Sequence, residues 1–333
     1  MYILKQLPED FIVREVTNLK PRDKGRFLYF KVKKKNRNTM DVIKQLAKFL
    51  NLKTKDIGFA GTKDKHAVTE QYISILSNHR DKILRATIDN VELEFFGCGN
   101  EPLTLGDLQG NNFEIVVRNL ENVDIKSTNY CENYFDEQRF SLNNKEIGKF
   151  LVKKRFKEAL QLIDNPECHK VLTENSNDYI GALKKIPPRL LKMYVNAYQS
   201  YLWNEILARY LRENQKVWKI IKYSLGEYVF AEEKNELKLP LLGFDEDLIP
   251  AELKDIVEKL MQEEDLDFLE FIIKQIPELS MEGELRLAYM EIKDLSLGKV
   301  EDDELNPGKK KILLKFFLPK GSYATMVVRR LFA

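Results

Sequence analysis

The spacing of apolar residues divides the chain into three stretches of different texture. In the first, short apolar runs with partial alternation predict strands over 10–16 (DFIVREV), 27–33 (FLYFKVK), 70–76 (EQYISIL), 91–97 (VELEFFG) and 112–118 (NFEIVVR). β-branched and aromatic residues dominate these runs, as a half-buried pleated surface requires. Between the second and third strands, Asn38 or Thr39 can cap a helix that runs to about Leu50, with Ile43, Leu46, Ala47 and Leu50 on one face. Strands spaced this irregularly predict an α+β sheet, not a βαβ alternation.

From Asn144 to about Leu297 the pattern reads as mostly helical. Pro187 and Pro188 open a long helix predicted over 189–214. Its stripe of Tyr194, Tyr198, Tyr201 and Leu202 has helical spacing and reads as packing. Pro240, Gly243, Pro250 and Pro277 punctuate the chain after this helix, and 311–318 (KILLKFFL) returns to strand character. Sheet-rich, helix-rich, sheet-rich is the order expected of one domain inserted into another, with the last strand rejoining the first sheet. Such an insertion needs the points where the chain leaves and returns to lie close together.

Composition sharpens this picture. An apolar fraction of 44% and an aromatic fraction of 11% over 333 residues suit a folded chain with room for two domains. No apolar run approaches the ~20 residues of a membrane span. The opening residues lead into strand-like sequence without a signal-peptide pattern, so an intracellular protein is expected. Cys98, Cys131 and Cys168 are odd in number and form no CxxC, which argues against a disulfide framework or structural zinc. Cys168 and His169 read as ordinary loop residues. No glycine-rich nucleotide fingerprint is present, so no nucleotide cofactor is indicated.

The net charge of +2 hides a segregation. Lys20–Arg37 holds nine basic residues and one acidic residue, whereas Asp245–Glu270 holds eleven acidic residues and two basic ones. A polyanion would meet the first segment and avoid the second. An acidic run of this kind is usually a solvated helical face.

Candidate chemistry centres on FAGTKDKHAVTEQY, residues 59–72. Asp64 stands between Lys63 and Lys65, behind Gly58 and Gly61, which allow a turn that aims its side chain outward. Read from these residues alone, it is either a solvated turn aspartate or an ionised carboxylate aimed outward and favoured by flanking lysines. No second carboxylate sits at helical spacing to make an acid/base pair with it. His66 reads as a surface or packing residue. Asn111 and Phe113, two apart on an extended chain, face the same way. They are either a turn residue and a core ring, or an amide and a ring that read and stack a base. Phe11 is equally consistent with a plain strand position.

Six segments change that balance together. PEDFIVRE (8–15), GTKDKHAVTEQ (61–71), GNNF (110–113), NYFDEQRF (133–140), NAYQSYLWN (196–204) and LPKGSYATMVVRRL (318–331) succeed one another in the order found in the TruD family of tRNA pseudouridine synthases, which this chain resembles. The resemblance covers essentially the whole chain. It implies an α+β pseudouridine synthase catalytic domain with a mainly antiparallel sheet, formed by 1–140 and 298–333. A mostly helical family-specific domain, 141–297, would be inserted in it. It implies a cytoplasmic monomer that isomerises uridine to pseudouridine in tRNA, at position 13 of the D arm, with no cofactor and no metal. The alternatives are the same chemistry on another RNA site, or a non-catalytic RNA-binding protein of the same fold.

By motif match, Asp64 is the catalytic carboxylate and Lys5 the cation that keeps it ionised and oriented. Phe11, Asn111 and Tyr323 match positions that contact the target uridine, and Phe113 belongs to the same motif as Asn111. Tyr323 stands where many relatives have phenylalanine, a change that keeps a stacking ring. Glu15 matches a recurrent acidic position without an assigned role. Asp136 and Ser141 replace glycines of many relatives, which bears on local loop geometry.

Overall fold

A computed structural model describes residues 2–121, 123 and 125–332. The elements run in chain order β1 (Phe11–Val16), β2 (Phe27–Lys35), α1 (Thr39–Leu50), β3 (Ile57–Phe59), β4 (Val68–Ile75), α2 (Arg80–Leu84), β5 (Val91–Gly99) and β6 (Gly110–Leu120). Next are β7 (Tyr130–Glu132), α3 (Asn144–Val152), α4 (Phe156–Gln161), α5 (Pro166–Glu174), α6 (Tyr179–Leu183) and α7 (Pro188–Asn214). Then come β8 (Val217–Tyr223), β9 (Gly226–Ala231), β10 (Lys238–Leu241), α8 (Lys254–Glu263), β11 (Glu284–Leu287) and β12 (Tyr289–Glu291). The chain ends through β13 (Lys293–Asp302), β14 (Lys310–Pro319) and α9 (Ala324–Phe332).

Two compact units result. The first holds the chain up to Asn129 together with Glu291–Ala324; the second holds Tyr130–Met290 together with Thr325–Leu331. The family resemblance implies borders at 140/141 and 297/298, about eleven and seven residues later. Hydrogen bonding accounts for the offset. Ile292 N–H donates to Asn129 O at 2.8 Å within the first unit, while β7 pairs with β12 just beyond. The chain therefore leaves and returns at adjacent points. Apolar periodicity does not reveal which sheet a short strand joins.

The first unit is built on one sheet in the order β13-β14-β6-β1-β4-β2-β5, with β3 added to β4. Only β1 and β4 run parallel, so the sheet is mainly antiparallel and the fold α+β, as expected. One face carries Leu28, Phe30, Val32, Ile73 and Ile75, on which α1 lays Val42, Ile43, Leu46, Ala47 and Leu50. Asn38 starts α1 by accepting from Met40 N–H at 2.9 Å, and Asn51 ends it in the left-handed region at φ 58°.

The opposite face carries a row of alternating charge across six adjacent strands. Lys315 pairs with Glu114 at 3.2 Å, and Glu114 with Arg14. Arg14 reaches Glu70 at 3.6 Å, Lys31 meets Glu70 at 3.5 Å, and Lys31 meets Glu94 at 3.4 Å.

The expectation of a mostly helical stretch from Asn144 to Leu297 holds for α3–α7 and fails beyond Asn214. Six strands, β8–β13, begin between Val217 and Lys293. In β13, a sheet-edge strand, eight of ten residues are exposed, so no apolar alternation marks it. Charge on an edge strand also guards against pairing with other chains. Cys168 and His169 lie on α5, not in a loop, and Cys168 is buried. The acidic run carries one regular helix, α8, among short 3₁₀ turns. Tyr198 and Leu202 are buried on α7, as their spacing predicts. Among the described residues, no helix is long and apolar enough to cross a membrane.

Candidate active site

Asp64 lies in the connection from β3 to β4, and the backbone of that connection is pinned. Lys63 N–H donates to the Thr39 hydroxyl at 3.0 Å. That hydroxyl donates to Gln71 Oε1 at 2.9 Å, and Gln71 Nε2 returns to Gly61 O at 3.1 Å. The first residue of α1 and a buried amide of β4 thus hold the segment just ahead of Asp64. Lys34 holds it from below. It occupies an inward position of β2, two residues after Val32, and is 1% exposed. Its ammonium donates to Arg37 O and Asp64 O at 2.7 Å each, and to Lys63 O at 3.4 Å. Burial pushes it down to about 8, with Asp64 opposing the change and Lys63 adding to it.

The carboxylate itself meets Lys5, whose Nζ lies 3.0 Å from Asp64 Oδ2. The two side chains are 22% and 33% exposed, so the pair is open at one side. Lys5 Nζ also sits 4.1 Å from the centroid of the Phe11 ring, which places a π face under the cation. Lys5 adopts φ 58°, a left-handed conformation that costs a lysine energy and is kept only where its surroundings demand it.

The lysines flanking Asp64 do not supply its cation. Lys63 turns its ammonium inward, 2.8 Å from Glu15 Oε2 and 2.7 Å from Asn111 Oδ1. Glu15 is buried and also accepts from Tyr72 N–H at 3.2 Å. Glu15 therefore ties β1, β4 and the Asp64 loop together. Lys65 and His66 are exposed. Gly58 does not shape a turn either: it lies in β3, where a Cβ would stand 2.3 Å from Leu103 O and 2.6 Å from Ser74 Oγ. At Gly61 a Cβ would meet nothing within 4 Å.

Phe11 and Phe113 are 2% and 7% exposed. Phe113 stacks on Phe316 at 5.5 Å and meets Phe11 edge-on at 6.1 Å. Asn111 and Tyr323 are half-buried. Asn111 pairs in register with Glu15 on one side and Leu318 on the other, and Tyr323 comes five residues after that leucine. Lys5, Asp64, Phe11 and Asn111 are thereby linked through Lys5 and Lys63. The PEDF segment has a structural component too: Asp10 accepts from Leu7 N–H at 2.8 Å and from Arg118 Nε at 3.0 Å. Asp136, one of the two replaced glycines, is buried and accepts from Thr325 Oγ1 at 2.7 Å.

Sequence reasoning singles out neither Lys34 nor Thr39 nor Gln71 for the site. Their signal is parity. Phe30, Val32 and Lys34 share one face of β2, so the lysine falls on the side that packs inward. Among the described residues, no three His, Cys, Asp or Glu side chains are grouped to hold a metal ion.

The model of the family described as tRNA pseudouridine synthase D (TruD) matches residues 2–169, 162–237 and 222–331. The chain is 33% identical to "Probable tRNA pseudouridine synthase D 2" of Methanocaldococcus jannaschii, covering 99% of this chain and 91% of that protein. It is 31% identical to tRNA pseudouridine synthase D of Aquifex aeolicus, covering 99% and 97%. The crystal structure of the putative tRNA pseudouridine synthase D (TruD) of Methanosarcina mazei superposes with a TM-score of 0.70 at 28% identity, covering 98% of this chain and 92% of that one. With matches that span nearly its full length, the chain belongs to the TruD family of tRNA pseudouridine synthases.

Proposed function

We propose that this chain isomerises uridine to pseudouridine in tRNA, with Asp64 as the reacting carboxylate and Lys5 as its partner. The observation that carries the reading is the 3.0 Å pair of Lys5 and Asp64, half-open to solvent on a pinned loop in a chain of this family. The reaction detaches uracil from C1′ of ribose, turns it and rejoins it through C5, so it consumes neither oxidant nor external energy. A carboxylate can add to C1′, add to C6, or remove a ribose proton. All three routes need a carboxylate oxygen held in one direction, and the Lys5 ammonium supplies that hold through a charge-assisted hydrogen bond at 3.0 Å.

Asn111 and Tyr323, being half-buried, are the direct contacts for the flipped base, and Phe11 and Phe113 support the pocket from beneath. Position 13 of the D arm is the proposed target. Lys20, Arg22, Lys24 and Arg26 are exposed, and no salt bridge among the described residues involves them. They are the phosphate contacts of this reading. The lysines of β2 are otherwise engaged, Lys31 with Glu70 and Glu94, Lys33 with Glu92, Lys35 with Glu9.

The test is Asp64→Asn assayed on unmodified tRNA transcript, with pseudouridine mapped by position. The variant should bind tRNA as the wild type does and form no pseudouridine, while the wild type modifies position 13. Substantial turnover by Asp64→Asn would remove Asp64 from its role.

A further inference from the structure

A lysine at an inward position of a strand needs a reason. A methionine would fill the space beside Val32 without the cost of stripping water from an ammonium. Lys34 accepts that cost and, among the described residues, makes no hydrogen bond to a carboxylate; its three donors go to three main-chain carbonyls, Arg37 O, Lys63 O and Asp64 O. These carbonyls belong to two connections that have no ladder partner there, one leading into α1 and one carrying Asp64. Asp64 is consequently held at both ends by cations from different parts of the chain. Lys5 takes its carboxylate at 3.0 Å, and Lys34 takes its main-chain oxygen at 2.7 Å. Turning the peptide plane at Asp64 would swing the direction of its side chain, and the Lys34 bond resists that turn.

We propose that Lys34 is a positioning residue of the reaction, fixing the backbone from which Asp64 is presented to the nucleotide. The inference rests on the reading that Asp64 is the reacting carboxylate. Misplacement of a reacting group by ~1 Å can cost about 100-fold in rate, which sets the size of effect to expect. The charged side chains acting on the Lys34 ammonium are Asp64, which favours its protonated form, and Lys63, which opposes it; burial outweighs both. A protonated Lys34 serves three carbonyls, and a neutral amine has only two hydrogens to offer.

The experiment measures single-turnover pseudouridine formation and tRNA affinity from neutral to alkaline pH for wild type, Lys34→Met and Asp64→Asn. Lys34→Met should be about 100-fold slower with tRNA affinity unchanged. The wild-type rate should fall as pH rises through about 8, and Lys34→Met should lack that limb. A Lys34→Met enzyme with the wild-type rate, or one that keeps the alkaline limb, overturns the inference while an inactive Asp64→Asn leaves the reading of Asp64 standing. Full activity of Asp64→Asn overturns that reading instead. Should Lys34→Met fail to fold by circular dichroism, the wild-type profile decides: a rate constant that does not decline around pH 8 overturns the inference.

Discussion

Lys34 makes opposite demands on the protein as pH changes. Its ammonium sits near 8 in the fold, against 10.5 for an ordinary lysine. Below about 8 it is charged both folded and unfolded, so the cost of burying the charge is present in full. Between those values the unfolded chain holds the extra proton, and this group's contribution to stability rises with pH. With Lys34 positioning Asp64, activity falls over the same range. Urea unfolding of wild type and Lys34→Met at a series of pH values checks the sign: the wild type should gain stability relative to the variant from pH 8 upward. At this scale the sequence is uneven as a guide. Asp64 stands out because its motif is contiguous, GTKDKHAVTEQ. Lys34 does not, because its partners Lys63 and Asp64 lie about thirty residues further on and only folding brings their carbonyls to it. The lysine that serves Asp64 is likewise distant in sequence, while the adjacent Lys63 is bound to Glu15.

The elements most legible in the chain are those with one apolar face and one polar face. β1, β2, β4, β6 and α1 bury alternate or helically spaced residues, and β5 half-buries Val91, Leu93 and Phe95 in the same rhythm, so their periodicity survives in the sequence. β13 buries almost nothing and leaves no such trace. The short β3 leaves none either, being three residues long with a glycine at its centre. The polar face of the large sheet has its own logic in the charge row from Lys315 to Glu94. Glu70, 18% exposed at its side chain, is the link between Arg14 and Lys31. Glu70→Gln should lower unfolding free energy by about 0.5–1 kcal/mol at low salt, within the range of networked surface pairs. That difference should shrink in ~1 M salt, where the screening length is about 3 Å. Paired urea titrations at the two ionic strengths measure it.

For the whole molecule, the segregation of charge along the sequence points to one basic segment, and folding splits it in two. Residues 20–26 keep their cations out of salt bridges among the described residues, whereas the β2 lysines are spent on carboxylates or, at Lys34, on carbonyls. Replacing Lys20, Arg22, Lys24 and Arg26 by glutamine should flatten the dependence of tRNA affinity on salt by up to about 3 in logarithmic slope. The same change at Lys31, Lys33 and Lys35 should leave the slope as it is in the wild type; filter binding over a salt series separates the two outcomes. Insertion is legible from texture, but the role of the last residues is not. Arg330 reaches back across 198 positions to bind both oxygens of buried Glu132 at 2.7 Å, and Thr325–Leu331 counts with the second unit. β14 meanwhile lies inside the first unit's sheet, between β13 and β6. On the ribosome, neither half can therefore close while its final segment is still in the exit tunnel. Both cores stay unfinished until the stretch around Arg330 has left the tunnel, so the two units complete their folding close together in time and not one after the other.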